Sequence, residues 1–331
     1  MLIFYYNEGM KKVLIIFEIF LLLLGFVLLI KSSDLFVDSI SSLAINFKMS
    51  KMAVAMTVAA FATCAPELAI SFHALMSNAG DIAISNVLGS SIVNILLIIG
   101  VSAFCYPIKV KEEIIKKEAL ILLVISVLFS FSMADNILYS VNNIILTKAN
   151  ALLFLLLFIV FIFYILSQIK ITRSFFEREK PKYKLTSSII LSVFCVCGII
   201  LGSNIVVEFA TELANTIGIS QKIITMTVIV IGTSLPELSM TLISAKKHEY
   251  DIAIGNIIGT NIFNIGIVLA LPILIFGNVA SISFNLIDIF VVLLSAILFY
   301  IFAKNDKVLT RREGFIMVVI FISYYIYLFL Q

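Results

Sequence analysis

Long apolar runs separated by short polar segments fill almost the whole chain. Ten stand out, at 13–30, 52–76, 82–106, 117–134, 149–168, 187–207, 221–245, 252–276, 284–303 and 312–330. Each has about 20 residues, the length a helix needs to cross the roughly 30 Å hydrocarbon of a bilayer. Membrane β-strands would instead alternate apolar and polar positions over about ten residues. The runs are therefore predicted to be helices, which satisfy their own backbone groups in lipid. The predicted fold is an all-α integral membrane protein with ten transmembrane helices. The first run, within "MKKVLIIFEIFLLLLGFVLLI" from Met10, has the charge and apolar core of a signal peptide. It lacks a small-x-small cleavage site and is interrupted by Glu18, so it is read as a retained helix.

The polar interruptions inside the runs repeat. Shifted by 170 residues, "ATCAPELAIS" (62–71) falls on "GTSLPELSMT" (232–241), and "DIAISNVLGSSIVNI" (81–95) on "DIAIGNIIGTNIFNI" (251–265), with 13 identities in 34 positions over 62–95. The chain thus reads as two copies of one five-helix unit, residues 1–168 and 187–331, joined by a linker at 169–186. Five is odd, so the second copy enters the membrane from the other side. The repeats are inverted, and a binding site is expected where they meet near the midplane.

Charge sets the orientation. Segments 31–51, 107–118, 169–186, 246–251 and 304–312 hold 19 of the 23 Lys and Arg residues; the other loops and the N-terminal segment hold 4. By the positive-inside rule the first set is cytoplasmic and both termini face outward, in the plasma membrane. Composition agrees with a polytopic protein: 62% hydrophobic, 13% charged, mean hydropathy +1.16 and net charge +3, where soluble domains are about a quarter charged. The partners expected are the bilayer and small ions, not nucleic acid, and no cofactor is called for. The four cysteines form no CxxC pair, and Cys105, Cys195 and Cys197 read as small hydrophobes.

The candidate chemistry lies in the repeated motifs. Pro66 and Pro236 lack an N–H, which frees carbonyls one turn earlier, near Ala62 and Gly232, as cation ligands. Glu67 and Glu237 stand in mid-span, where an ionised carboxylate costs at least about 2.5–3.5 kcal/mol. No Lys or Arg at that depth neutralises them, so the positive charge must be imported. Thr63 and Thr233 share a face with these glutamates, and Ser234 is close by. Asn86, Ser90 and Asn94 form one polar stripe, and Asn256, Thr260 and Asn264 form its counterpart, while Gly89 and Gly259 allow close helix contact. Carboxylates, hydroxyls, amide oxygens and carbonyls make a hard, all-oxygen set suited to Ca²⁺ and Na⁺. Two glutamates neutralise one Ca²⁺ or two Na⁺, which lets the ions compete.

With "GTSLPEL" and "GNIIGTNIFN", and the similar "ATCAPEL" and "SNVLGSSIVN", the chain resembles the sodium/calcium exchanger family of the cation/calcium antiporter superfamily over essentially its whole length. The resemblance implies Ca²⁺ movement coupled to opposing Na⁺ flow by alternating access, in a unit that functions as a monomer. It implies that Glu67, Glu237, Thr63, Thr233, Ser234, Ser90, Thr260, Asn94 and Asn264 line the ion sites. Secondary positions are Ala60, Val230, Cys64, Asn86, Asn256, Asp81 and Asp251. It also implies that the two first helices of the halves slide as a gating pair.

The chain departs from the family pattern at Cys64, where a serine is usual, and this weakens one Na⁺ site. Ala62 and Ser85 replace glycines. Asn264, where potassium-dependent relatives have Asp, points away from potassium dependence. Asp81 and Asp251 open their helices and read more readily as N-caps than as ligands. Asp38 and Glu208 are repeat-equivalent and suit either an ion-attracting mouth or a solvated helix end. His73 reads as a packed, neutral histidine. The alternative transport reading is H⁺/Ca²⁺ antiport, with the glutamates loading protons. An intramembrane enzyme lacks its GxGD, Ser-His or HExxH motif, and a passive channel fits inverted repeats poorly.

Overall fold

The computed structural model describes residues 2–77, 80–138, 144–169, 180–216, 230–281 and 286–330; the predicted linker residues 170–179 and the start of the seventh run, 221–229, lie outside them. It is predominantly helical. The helices are α1 (Leu2–Phe47), α2 (Lys51–Thr63), α3 (Ala65–Met76), α4 (Gly80–Cys105), α5 (Glu112–Lys116), α6 (Glu118–Leu138), α7 (Lys148–Ile169), α8 (Leu185–Thr216), α9 (Val230–Thr233), α10 (Leu235–Lys246), α11 (Tyr250–Phe276), α12 (Leu286–Lys304) and α13 (Arg311–Leu330). Among the described residues, six helices are long and apolar enough to cross a membrane, and the bent pair α2 and α3 makes a seventh span. α6 and α13, at 21 and 20 residues, are also apolar throughout most of their length.

Element boundaries repeat with the same 170-residue offset as the sequence. α4 and α11 start at Gly80 and Tyr250, and the breaks fall at Cys64 and Ser234. The pattern ends two helices too early, α1 at residue 30, with 31–51 predicted as a loop, and α8 at residue 207, whereas α8 runs to Thr216. α1 runs on to Phe47, because Phe36, Val37, Ile40, Leu43 and Ala44 keep a buried helical stripe going through the polar residues Ser32, Ser33, Asp34 and Asp38.

Two short antiparallel ribbons tie the halves together. β1 (Ile108–Lys109) pairs with β4 (Val308–Leu309), and β2 (Ile144–Leu146) pairs with β3 (Val279–Ser281). In each, the segment that follows α4 or α11 pairs with the segment that precedes α13 or α7.

The core is built around α4 and α11, whose apolar windows are far more buried than those of α1 or α7. α11 lies on α2 so closely that a Cβ on Gly259 would sit 2.6 Å from the Met56 carbonyl oxygen. Only glycine permits that approach. α1 and α8 pack along one another at the side of this core, with α1 also lying along α10. Among the described residues α8 makes no matching run of contacts with α3, so the helix pair sits unevenly between the two halves.

Candidate ion-binding site

Each proline breaks its span by one residue. Ser50 starts α2 by accepting the Ala53 N–H at 3.0 Å. The helix then closes on Ala60, which accepts the Cys64 N–H at 3.0 Å, and α3 restarts with Leu68 N donating to Cys64 O at 2.9 Å. Pro66 sits in the first turn of α3, where no N–H is needed. The two fragments meet at 47°. In the second half Ser234 N donates to Ile231 O at 3.1 Å and Leu238 N to Ser234 O at 3.0 Å. The junction residues Cys64 (φ −75°, ψ −4°) and Ser234 (φ −93°, ψ 8°) share nearly one conformation.

Around the breaks the structure brings together most of the predicted residues. Glu67, Glu237, Thr63, Ser234, Ser90, Thr260, Asn94, Asn264, Asn256 and Cys64 are all buried, and Glu237, Thr260, Asn94, Asn264 and Asn256 are fully inaccessible. The segment of α11 that starts at Asn264 packs on α3, which carries Glu67, and the segment of α4 around Asn94 packs on α10, which carries Glu237. Both are stretches of π-helix, Val93–Ile99 and Asn264–Leu269, an irregularity common at functional sites. The glutamates lie near enough to act on one another electrostatically, and Cys64 lies within reach of both charges.

Neither carboxylate oxygen of Glu67 or of Glu237 has a hydrogen-bond partner of ordinary geometry, nor has Ser234 Oγ, Thr260 Oγ1, Asn256 Oδ1 or either amide atom of Asn94 and Asn264. The Thr63 hydroxyl faces Glu237, but its proton goes to the Ala60 carbonyl at 3.3 Å. Buried polar groups are ordinarily satisfied, and unpaired buried carboxylates are costlier still. Among the described residues no three His, Cys, Asp or Glu side chains converge on a metal position. The donors are therefore two carboxylates amid neutral oxygens, which fits a hard, oxygen-seeking cation as cargo.

Other predicted residues take different roles. Asn86 donates to Glu67 O at 2.9 Å and to Ser71 Oγ at 3.0 Å, so it braces the backbone of α3. Asn256 approaches Thr241 Oγ1 at 3.5 Å in the same sense. Cys64 Sγ donates to the Thr260 carbonyl at 3.8 Å. The Gly232 carbonyl, expected to be freed for a cation, accepts a hydrogen bond from Ser203 Oγ at 3.0 Å. Thr233 is half-buried and Ala60 is buried, while α9 begins at Val230. Asp81 and Asp251 are the second residues of their helices rather than N-caps, and Asp251 pairs with Lys111 Nζ at 2.5 Å. Asp38 is held by Lys182 and Lys247, each at 2.6 Å, and Glu208 is exposed. His73 is exposed on α3, not packed, because it lies on the outer face opposite buried Ser71, Ala74 and Leu75.

Sequence reasoning missed Asn261, which is buried with Oδ1 unpartnered while Nδ2 donates to Ile257 O at 2.8 Å. It lies five residues after Asn256, off the four-residue stripe, and its repeat mate is a serine. Ser203 was also missed, since a hydroxyl in an apolar helix carries no signal until its neighbour is known.

The family described as sodium/calcium exchanger protein matches residues 17–167 and 187–330. Inner membrane protein YrbG of Escherichia coli (strain K12) is 34% identical over 292 residues, covering 84% of this chain and 86% of that protein. Sodium/calcium exchanger MaX1 of Methanosarcina acetivorans is 30% identical, covering 93% and 97% respectively. Among solved structures, the sodium-calcium exchanger NCX_Mj soaked with 10 mM Na⁺ and zero Ca²⁺ superposes with a TM-score of 0.78 at 28% identity, over 93% of this chain and 98% of that one.

Proposed function

Since the chain belongs to the sodium/calcium exchanger family, a family of membrane transporters rather than enzymes, we propose that this cation/calcium antiporter moves Ca²⁺ in exchange for Na⁺ by alternating access. Two wholly buried glutamates whose four carboxylate oxygens have no partner carry this assignment. Two Na⁺ or one Ca²⁺ would neutralise the pair, and the surrounding amides and hydroxyls offer more oxygen ligands than a proton needs. One chain supplies both glutamates, so a monomer suffices.

The ten spans form two inverted five-helix repeats, with Glu67 and Glu237 related by the pseudo-two-fold. The exchanged pairing of the two ribbons and the cross-packing of the two π-segments support this symmetry. The protein resides in the plasma membrane with its lysine-rich loops in the cytoplasm and both termini outside. In that orientation the packing of α1 on α10, with Lys247 joined to Asp34 and Asp38, lies on the cytoplasmic side.

Uptake of radioactive Ca²⁺ into proteoliposomes tests the reading. An outward Na⁺ gradient should drive uptake that survives a protonophore under voltage clamp by K⁺ and valinomycin. Uptake that follows a pH gradient without Na⁺ would establish H⁺/Ca²⁺ antiport in its place.

A further inference from the structure

α1 and α8 meet backbone to backbone: a Cβ on Gly202 would lie 2.7 Å from the Leu29 nitrogen and 3.0 Å from the Gly25 carbonyl oxygen. Such a small-residue crossing makes the two helices one packing unit. Each carries a buried serine at a repeat-matched position, Ser33 on α1 and Ser203 on α8.

Ser203 Oγ donates to Gly232 O at 3.0 Å. In an unbroken helix that carbonyl would accept the N–H of residue 236, which proline lacks. The hydroxyl on α8 therefore replaces the missing donor. Ser33 does not do the same for Ala62, the carbonyl that Pro66 orphans. Its Oγ lies 2.7 Å from Ser239 Oγ, and Ser239 spends its own proton on Pro236 O at 3.0 Å, so Ser33 is the donor in that pair. Both serines thus hold the broken span of the second half, one on each side of its break. Ala62 packs against the apolar cluster that contains Phe36 and Val37 of α1 and Ile199 of α8, so it already borders the helix pair. Position 69, the mate of Ser239, is an alanine.

Given the alternating access proposed above, we propose that Ser33 and Ser203 are alternating positioning residues. In this conformation Ser203 caps the Gly232 carbonyl. In the opposite-facing one Ser33 caps the Ala62 carbonyl and Ser203 releases Gly232. Each change of partner frees one proline-orphaned carbonyl as the other is capped. Because Ala69 offers Ser203 no hydroxyl, Ser203 has a partner in one conformation only, whereas Ser33 has one in both.

The test is Ca²⁺ self-exchange by the full-length protein in oriented proteoliposomes, where isotope moves through both conformations without a counter-ion. The ratio of apparent KM values at the two faces reports the balance of conformations. Ser203→Ala should move this ratio toward the opposite-facing state by about three- to tenfold, the worth of one neutral hydrogen bond, and Ser203→Thr should keep it. In a Ser239→Ala background, where Ser33 retains only Ala62, Ser33→Ala should move the ratio the other way. A general loss of packing would lower the rate at both faces and leave the ratio in place. Intact self-exchange with a ratio unmoved by Ser203→Ala, or moved the same way by Ser33→Ala, overturns the proposal alone. A wild-type protein without self-exchange overturns the antiporter reading, and the proposal with it.

Discussion

The side-chain amide of Asn86 donates to the main-chain carbonyl of Glu67 at 2.9 Å, so α4 grips the carboxylate-bearing fragment by its backbone and leaves the carboxylate to other partners. Asn86→Ala should raise the apparent KM for Ca²⁺ several-fold while Glu67 stays in place, and should cost about 1–3 kcal/mol of stability by orphaning the Ser71 and Glu67 groups. Asn256→Ala should do less, because its contact to Thr241 is longer at 3.5 Å. Ca²⁺ titration of flux together with thermal unfolding in detergent checks this. A loss of stability with no change in KM would reduce Asn86 to a packing residue.

Glu67 and Glu237 are both buried, and neither has a carboxylate oxygen with a hydrogen-bond partner of ordinary geometry, so neither should be dispensable. Removing one partner from a buried charge assembly typically costs about 3–5 kcal/mol, which is more than a hundredfold in ion affinity. Glu67→Gln and Glu237→Gln should each abolish Na⁺-driven Ca²⁺ uptake, and calorimetry should show Ca²⁺ binding weakened by at least that factor. Full flux in either variant would remove the pair from the ion path.

Cys64 and Ser234 occupy matched junctions, but a thiol is a weak ligand for a hard ion. Cys64→Ser should lower the half-saturating Na⁺ concentration by about three- to tenfold, on the scale of one added neutral contact, with a smaller change for Ca²⁺. The Na⁺ dependence of uptake measures this. An unchanged value would mean that Na⁺ never visits the junction of the first half.

The sequence made the repeat, the broken spans and the buried carboxylates legible, because a proline or a glutamate in an apolar run has few structural excuses. It did not reveal that α1 continues through residues 31–47. Lysine, aspartate and serine there mimic a loop, and only the packing of α1 against α8 and α10 shows which face they occupy. The division of labour among the asparagines was equally hidden. Asn86 and Asn94 lie on one stripe, yet one braces a backbone and the other is left with unpartnered amide atoms. The π-helical stretch that contains Asn94 leaves no mark in residue types. Ser203 illustrates the same limit, since its role depends on a carbonyl 29 residues away.

Glu112 sits between Lys116 and Lys307, each at 2.6 Å, beside the ribbon that joins the halves. Their ammonium groups hold its carboxyl down at about 2. A group whose folded-state value is depressed stabilises the fold above its unfolded value, about 4.3, and loses that contribution as pH falls toward the folded value. Wild type should therefore melt slightly above Glu112→Gln at pH 7, and the gap should close between about pH 4.5 and pH 2. Both lysines are well exposed, so the gap should also shrink with added salt. Melting curves of both proteins across this range test it, and a gap that persists at pH 2 would point to packing rather than charge.

Lys247 binds α1 through three oxygens: Asp38 Oδ1 at 2.6 Å, Asp34 O at 2.6 Å and Asp34 Oδ1 at 3.0 Å. Lys182, at the end of the inter-half linker, adds a second contact to Asp38 at 2.6 Å. These bonds fasten α1 to the turn after α10. Isolated exposed ion pairs contribute about 0–1 kcal/mol, but Lys247 is three-quarters covered and its amine also serves a carbonyl. Lys247→Met keeps the aliphatic stem and deletes the charge. It should shift the ratio of Ca²⁺ KM values at the two faces toward the opposite-facing conformation, and Asp38→Asn, which strips both lysines of a partner, should shift it further. Salt should move the wild-type ratio in the same direction, because screening weakens the pairs, and should leave Lys247→Met nearly unmoved. If Lys247→Met keeps both the wild-type ratio and its salt dependence, the lysine is surface decoration and α1 is held by its apolar contacts with α10 alone.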